Sequence, residues 1–181
     1  MEPRTHELDD GLKLLIREAT AEDSRSVLDY VQQVCGESDF LTFGPGEFGL
    51  NEQQEKEFIE NNRGTENRLV ILGLISSRIV SVLNFSGGQR PRIRHCGELG
   101  MTVKRQYWGR GIGTLMLDVA IAWARDTHII KKINLRVRTD NTRAISLYEK
   151  KGFLKEGTIR KEIFIDGKYY DHHWMSLELD G

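Results

Sequence analysis

Several things are scarce in this 181-residue chain: it has 3 prolines, 2 cysteines and neither repeats nor a Ser- or Pro-rich linker. Its longest nearly apolar stretches, Leu69 to Ile75 and Val119 to Ala124, fall far short of the roughly 18 to 20 residues that cross a bilayer as a helix. An excess of one charge is missing too. With 26 Lys+Arg against 27 Asp+Glu the formal net charge is −1, so no whole-surface attraction to nucleic acid or anionic membrane is expected, and an anionic ligand has to be met locally. The first residues, MEPRTHELDD, carry both signs of charge and no apolar run ahead of a cleavage site, so no secretory signal is expected. Cys35 and Cys96 lie far apart and match no metal-ligand spacing. Free buried thiols in a reducing cytoplasm are expected, with neither disulfide nor metal site. What is present, 39% hydrophobic and 29% charged residues, suits one soluble globular domain over residues 1–181.

The periodicity changes over short distances, as in a mixed α/β domain. Leu12 to Arg17 reads as a strand. Thr20 and Asp23 resemble a capping box ahead of a helix in which Val27, Leu28, Val31 and Val34 share one face and which Gly36 ends. Glu37 to Leu50, with Gly44, Pro45, Gly46 and Gly49, is an irregular candidate binding loop, and Asn51 to Asn62 reads as a polar second helix. Arg68 to Leu74, Ile79 to Phe85 and His95 to Val103 read as a meander of three strands, broken at Ser76-Ser77 and Gly87-Gly88. Ile112, Leu115, Met116, Val119, Ala120 and Trp123 follow the i, i+3, i+4, i+7 pattern of an amphipathic helix. Ile133, Leu135 and Val137 alternate with polar residues as a strand, and a helix follows from about Thr142 to Lys151. Two last strands flank Asp166-Gly167, a dipeptide suited to a type I′ hairpin. The order is βααβββαβαββ, an α/β fold of α+β type with a mixed, mostly antiparallel sheet and about four helices.

The stretch Gln106-Tyr107-Trp108-Gly109-Arg110-Gly111-Ile112-Gly113 stands where a strand gives way to a helix. The first helical N–H groups lack intrahelical partners and carry the positive end of the helix dipole, while glycines let the backbone approach a ligand closely. That arrangement suits phosphate oxygens. Lys104, Arg105 and Arg110 fall between Met101 and Leu117 with no acid among them. The dinucleotide fingerprint fails because Thr114 stands where its third glycine belongs, and no GK[ST] follows for a P-loop. On the residues alone, the glycines are also compatible with a tight turn and nothing more.

Gln106-x-x-Gly109-x-Gly111 is similar to the Q/R-x-x-G-x-G/A motif of the GNAT superfamily of N-acetyltransferases. Asn141-x-x-Ala144-x-x-x-Tyr148-x-x-x-Gly152-Phe153 resembles the second block of that family. The element order resembles the GNAT fold from Leu12 to Leu179. The resemblance implies an acetyl-CoA-dependent transferase without a metal. By the same resemblance, the amides of Gly109, Arg110, Gly111, Ile112, Gly113 and Thr114 cradle the CoA pyrophosphate. Met101, Thr102 and Val103 lie along the pantetheine in strand-like fashion, and Asn141 contacts its arm. On bare sequence Asn141 is equally a helix N-cap.

Acetyl transfer to an amine needs a base, because an alkylamine with a pKa near 10.4 is protonated at neutral pH, and an acid for the departing thiolate. The family places a tyrosine beside the acetyl sulfur, which makes Tyr148 the expected acid; the alternative is an aromatic side chain packing a helix on the sheet. Glu98, on the strand leading to the glycine turn, matches a glutamate that serves as base in several GNAT enzymes. Simple alternation puts it on the face opposite Leu99, Met101 and Val103, unless a bulge of the family's kind resets the phase. A solvated or ion-paired glutamate is the other reading. His95, His128, His172 and His173 are rival bases without motif support, and His172 and His173 point to opposite faces. Cys96 is conceivable as a nucleophile, but no histidine partner is specified.

In the GNAT fold the acceptor cleft is lined by the loop here running from Glu37 to Leu50 and by the terminal hairpin, roughly Ile163 to Trp174. Glu37, Asp39 and Glu47 with Phe40, Phe43 and Phe48 suggest an amine carrying additional positive charge; a solvated loop pinned by phenylalanines is the alternative. The expected function is N-acetylation of a small-molecule amine, such as a polyamine, aminoglycoside or amino acid, or of a protein N-terminus. The rival classes are an acetyl-CoA-binding sensor or partner module without turnover, and a structural protein. Homodimerisation through an exposed edge strand near the C-terminus fits the family's habit; no nucleic-acid or membrane partner is expected.

Overall fold

The computed structural model describes residues 1–179. In chain order its elements are β1 (Arg4–Glu7), β2 (Lys13–Glu18), α1 (Ser24–Val34), α2 (Glu52–Arg63), β3 (Arg68–Ile75), β4 (Arg78–Gly87), β5 (Cys96–Val103), α3 (Ile112–Asp126), β6 (Lys132–Arg138), α4 (Thr142–Lys150), β7 (Leu154–Ile165) and β8 (Lys168–Glu178). Short 3-10 turns precede α1 and α3. The strands form one sheet in the order β1-β2-β3-β4-β5-β6-β8-β7, antiparallel throughout except for β5 and β6.

β1 is an addition to the expected order. Its four residues, RTHE, are mostly exposed and show no apolar alternation. The strand is held by its register with β2, Arg4 opposite Ile16 and Glu7 opposite Lys13. A charged edge strand of this kind discourages pairing with other chains.

β3 shows why the sheet has helices on both sides. Leu69 and Ile71 enter one core with Leu83, Phe85, Leu99, Met116 and Leu135, while Val70, Leu72 and Leu74 enter another with Val27, Tyr30 and Ile59. A strand covered on both faces reads as a continuous apolar run, which is how this stretch looked in sequence. The larger core lies under α3 and α4 and includes Tyr148 and Phe153. The smaller lies under α1 and α2. Each fully buried aliphatic side chain in either core contributes about 1.5–3 kcal/mol of burial free energy.

Local signals place the ends. Asn51 caps α2, its side chain accepting from Gln54 N at 2.9 Å while Gln54 Oε1 accepts from Asn51 N at 2.9 Å. Asp23 accepts from Thr20 N at 2.8 Å ahead of α1 and also holds both terminal nitrogens of Arg17 at 2.7 Å. At the β7–β8 turn Asp166 and Gly167 have φ of 47° and 80°, the two positive values that a type I′ turn requires.

Candidate active site

The sheet opens between β5 and β6. Cys96–Glu98 run parallel to Lys132–Asn134, and there the pairing ends. β5 continues to Val103 bonded to β4, and β6 continues to Arg138 bonded to β8. Beyond Glu98, the edge of β5 that faces β6 has no strand partner among the described residues, which leaves backbone groups for an extended ligand carrying amides, although the Val103 carbonyl already accepts from Trp108 Nε1 at 2.7 Å. Met101, Thr102 and Val103 all lie on this stretch. Met101 and Val103 pack toward the larger core. Thr102 faces the other way, its Oγ1 2.9 Å from the hydroxyl of Tyr30 on α1 and its carbonyl accepting from Ser81 Oγ at 2.7 Å.

At the mouth of this wedge Gln106 sits in a 3-10 turn, Arg105–Tyr107, and Gly109 and Gly111 both have left-handed backbones, φ 85° and 79°. Gly111 is the N-cap of α3 and supplies no side-chain cap. A Cβ built on it would meet nothing within 4 Å. Gly111 thus places no side chain over the start of α3, whose first amides lack intrahelical partners, the condition an anion site needs. Gly113 has a different job. A Cβ there would stand 3.1 Å from Leu147 Cδ2 and 3.3 Å from Met101 Cε, so this glycine lets β5, α3 and α4 converge and brings the two motif blocks together.

The charge around the turn is less one-sided than the local sequence suggests. Arg110 forms an ion pair with Asp10 and lies over the Tyr107 ring, 5.7 Å from its centroid. Two cations sit on Trp108 instead, Arg105 at 6.0 Å and Arg143 from α4 at 5.5 Å. Arg143 lies inside the second motif block but at one of its unspecified positions, so nothing in sequence marked it.

Asn141 caps α4, its Oδ1 accepting from Ala144 N at 3.2 Å. Two turns later Tyr148 is buried, packed on Phe153 with ring centroids 5.7 Å apart. Burial pushes its phenol up to about 12. Glu98 lies on the opposite face of the sheet. The β4–β5 register runs without a shift from Ser81 opposite Val103 to Gly87 opposite Gly97, so no bulge in this pairing resets the phase and simple alternation holds. Glu98 Oε1 accepts from Arg136 Nε at 2.7 Å, and Arg136 Nη1 also donates to Glu162 at 3.0 Å.

That opposite face carries residues without a motif. Arg138, 6% exposed, is held by Asp140 through two bonds of 2.8 and 2.7 Å and donates to the Asp39 carbonyl at 2.7 Å. Its guanidinium lies over Phe40 at 4.6 Å and over Tyr170 at 3.9 Å. His172 pairs across the sheet with Arg138, is 3% exposed, and has a buried Nδ1 with no hydrogen-bond partner. Burial lowers its pKa; Glu162 opposes this, while Arg136 and Arg138 add to it. His173, on the other face, is 3.0 Å from Thr158 Oγ1. The Asp140 carboxylate two residues after Arg138 was a local hint of the clamp. Phe40 and Tyr170, distant in sequence, gave none.

The candidate loop, residues 37–50, is pinned over this face, and two of its three acids are spent on backbone. Glu37 Oε2 accepts from Arg105 N at 2.7 Å and Glu47 Oε2 from Gly44 N at 2.7 Å. Asp39 remains exposed. The picture of three carboxylates converging on a cationic acceptor is thus replaced by two structural caps and one free acid. Cys35 and Cys96 are both free thiols, Cys35 buried as expected and Cys96 only half-buried because it opens β5 at the end of the strand remote from the glycine turn.

The family whose model matches this chain is described as the acetyltransferase (GNAT) family, over residues 37–153. Among curated proteins, an Escherichia coli (strain K12) protein named L-amino acid N-acetyltransferase is 30% identical over 106 residues, 59% of this chain and 65% of that protein. A Vibrio cholerae protein named spermidine N(1)-acetyltransferase is 30% identical over 79 residues, 44% of this chain and 46% of its own length. The matched stretches thus span less than two thirds of these relatives. Among solved structures, an acetyltransferase of the GNAT family from Streptococcus pneumoniae superposes with a TM-score of 0.90 at 30% identity, covering 92% of this chain and 99% of that one.

Proposed function

The chain belongs to the acetyltransferase (GNAT) family, and on that premise we propose that it is a cytoplasmic N-acetyltransferase, one domain over residues 1–181, that transfers the acetyl group of acetyl-CoA directly to a primary amine. The observation that best supports this reading is the open wedge between β5 and β6, with the uncapped N-terminus of α3 at its mouth. The amides from Gly109 to Thr114 hold the pyrophosphate, the free edge of β5 at Met101–Val103 holds the amides of the pantetheine, and Asn141 borders its arm. Acetyl-CoA supplies an activated thioester. The chain's own residues supply position and protons.

Tyr148 is the acid. Its hydroxyl is protonated at physiological pH, burial having moved its pKa further up to about 12, and it donates to the departing sulfur. Glu98 is the base. Arg136 holds its Oε1, and its Oε2 accepts the ammonium proton directly or through a water. The amine enters from the face that carries Glu98, Tyr30, Arg138 and the 37–50 loop. Its class is a small-molecule amine, such as an amino acid or polyamine like those named for the relatives above, or a protein N-terminus.

The test is CoA thiol release from acetyl-CoA against polyamines, aminoglycosides, amino acids and short peptides, with Tyr148→Phe alongside. We expect turnover on one amine class and a kcat loss of about 100-fold or more in the variant, with acetyl-CoA affinity unchanged. A Tyr148→Phe protein as fast as wild type would refute the acid role. Because the phenol is raised, the pH profile of wild type should show no descending limb near 10, where an ordinary tyrosine ionises. Silence on every amine, with acetyl-CoA still raising the melting temperature, would turn the reading toward a sensor module.

A further inference from the structure

At the end of the sheet remote from the glycine turn, the loop between β4 and β5 carries Arg90, Arg92 and Arg94, with no acid from Gly88 to Gly97. This loop, the end of α2 and the start of β3 line an open recess of about 530 Å³, with Asn61, Thr65, Arg68, Gln89 and Arg94 among the residues around it. That volume suits a small molecule.

The walls are built in place. The Asn67 side chain donates to the carbonyls of Gly88 at 2.9 Å and Arg94 at 3.1 Å, and Gly87 N donates back to the Asn67 carbonyl at 2.9 Å. The chain crosses itself there so closely that a Cβ on Gly87 would stand 2.4 Å from the Asn67 carbonyl oxygen, and one on Gly88 2.3 Å from that of Ile93. A side chain on Gly87 would push β4 away from Asn67, and one on Gly88 would force apart the two arms of the loop.

Arg68 is the unexplained group. It is half-buried, its Nε is buried without a hydrogen-bond partner, and no carboxylate lies within ion-pair distance of it among the described residues. The other buried or half-buried guanidiniums described above, those of Arg17 and Arg138, each have an acid. A partly desolvated charge without a counter-ion is unfavourable, and the Arg68 side chain lines the recess. Arg94 at the rim has only Glu66, 3.2 Å away with both side chains well exposed, a pair weak enough to exchange for another anion.

We propose that this recess binds a small oxyanion, a phosphate or carboxylate carried by a molecule of the cavity's size, with Arg68 as the inner counter-charge and Arg94 as the rim contact. The site is separate from the transferase wedge and does not depend on that reading. Isothermal titration at fixed ionic strength, with inorganic phosphate in one arm and citrate in the other, tests it on protein saturated with CoA so that the α3 amides are already engaged. Saturable binding of at least one anion is expected, and the preferred arm names the group. Arg68→Gln should weaken that binding about ten-fold or more, Arg94→Gln less, and Arg78→Gln, an exposed arginine opening β4, not at all. CoA binding and melting temperature check that each variant is folded. No saturable binding in either arm, or equal affinity in Arg68→Gln, would overturn the proposal. So would phosphate binding that vanishes once CoA is added, since it would belong to the glycine turn. Failure of CoA itself to bind would count against the transferase reading and leave the Arg68 comparison intact.

Discussion

The two faces of the wedge are built by opposite means. On the face under α3 and α4, the proposed ligand groups are backbone amides set by glycines a few residues apart, and the side chains of Met101 and Leu147 pack elements together there. On the face under α1, α2 and the 37–50 loop, the groups are side chains drawn from five separate stretches: Tyr30, Phe40, Glu98, Arg136 with Arg138, and Tyr170 with His172. The first face can be specified by a short local sequence. The second exists only once the sheet has assembled. A common cofactor and a variable acceptor would call for this division, since backbone sites tolerate change around them and side-chain sites invite it.

The largest effect separating the faces should come from Gly111→Val. A β-branched residue at φ 79° is strained, and its side chain would occupy the open space over the first amides of α3. Acetyl-CoA should bind about 100-fold more weakly, by titration calorimetry. Gly167→Val is the matched control, with φ 80° and nothing within 4 Å of its Cβ. It should show a similar stability loss, about 1–3 kcal/mol, with cofactor affinity intact. Equal cofactor affinity in the two variants would remove the amide cradle from the first face.

The second face is tested by Arg138→Met. That change removes the bonds to Asp140 and the Asp39 carbonyl and both ring contacts. The protein should lose about 2 kcal/mol, the acceptor KM should rise about ten-fold, and limited proteolysis should find new cuts within residues 37–50. Acetyl-CoA affinity should not change. Arg138→Lys should not rescue, because an ammonium cannot reproduce the bidentate pair and the two ring stacks at once. An Arg138→Met protein with wild-type acceptor KM would mean that the clamp holds the loop without shaping the cleft.

The same contrast explains what could be read beforehand. The glycine turn, the N-cap of α4 and the Asp166-Gly167 hairpin were legible because their parts are sequence neighbours and backbone conformation depends on them directly. The meander was legible from alternation. β1 was not, since its four polar residues are held by hydrogen bonds to β2 and by nothing a hydropathy pattern registers. The charge of Arg110 was misjudged because Asp10, its partner, lies a hundred residues earlier. The loop acids Glu37 and Glu47 looked like recognition groups because sequence shows a carboxylate's presence and not the backbone N–H it already holds. Arg138 looked like one polar alternate of a strand, and only assembly sets Phe40, Tyr170 and the Asp39 carbonyl around it.

The smallest effect belongs to His172 and is read in stability. Burial disfavours its imidazolium, so its pKa in the fold lies below the ordinary value near 6.5. As pH falls below about 6.5 the unfolded chain takes up this proton before the folded one, and stability drops until the pH passes the lower folded value. Above 6.5 the group contributes no pH dependence. The melting temperature should therefore fall between about pH 6.5 and 5, before the carboxylates titrate. His172→Gln should flatten that slope, and only in part, since His173 is also lowered by burial and by Lys155. The charged groups acting on the imidazole are Glu162 and Asp140 on one side and Arg136 and Arg138 on the other. Arg138→Met, by removing one of those cations, should raise the imidazole pKa and shift the same transition the opposite way in an NMR titration of His172. A wild-type slope in His172→Gln would show that the imidazole reaches water despite its burial, and the second face would then be looser than its contacts indicate.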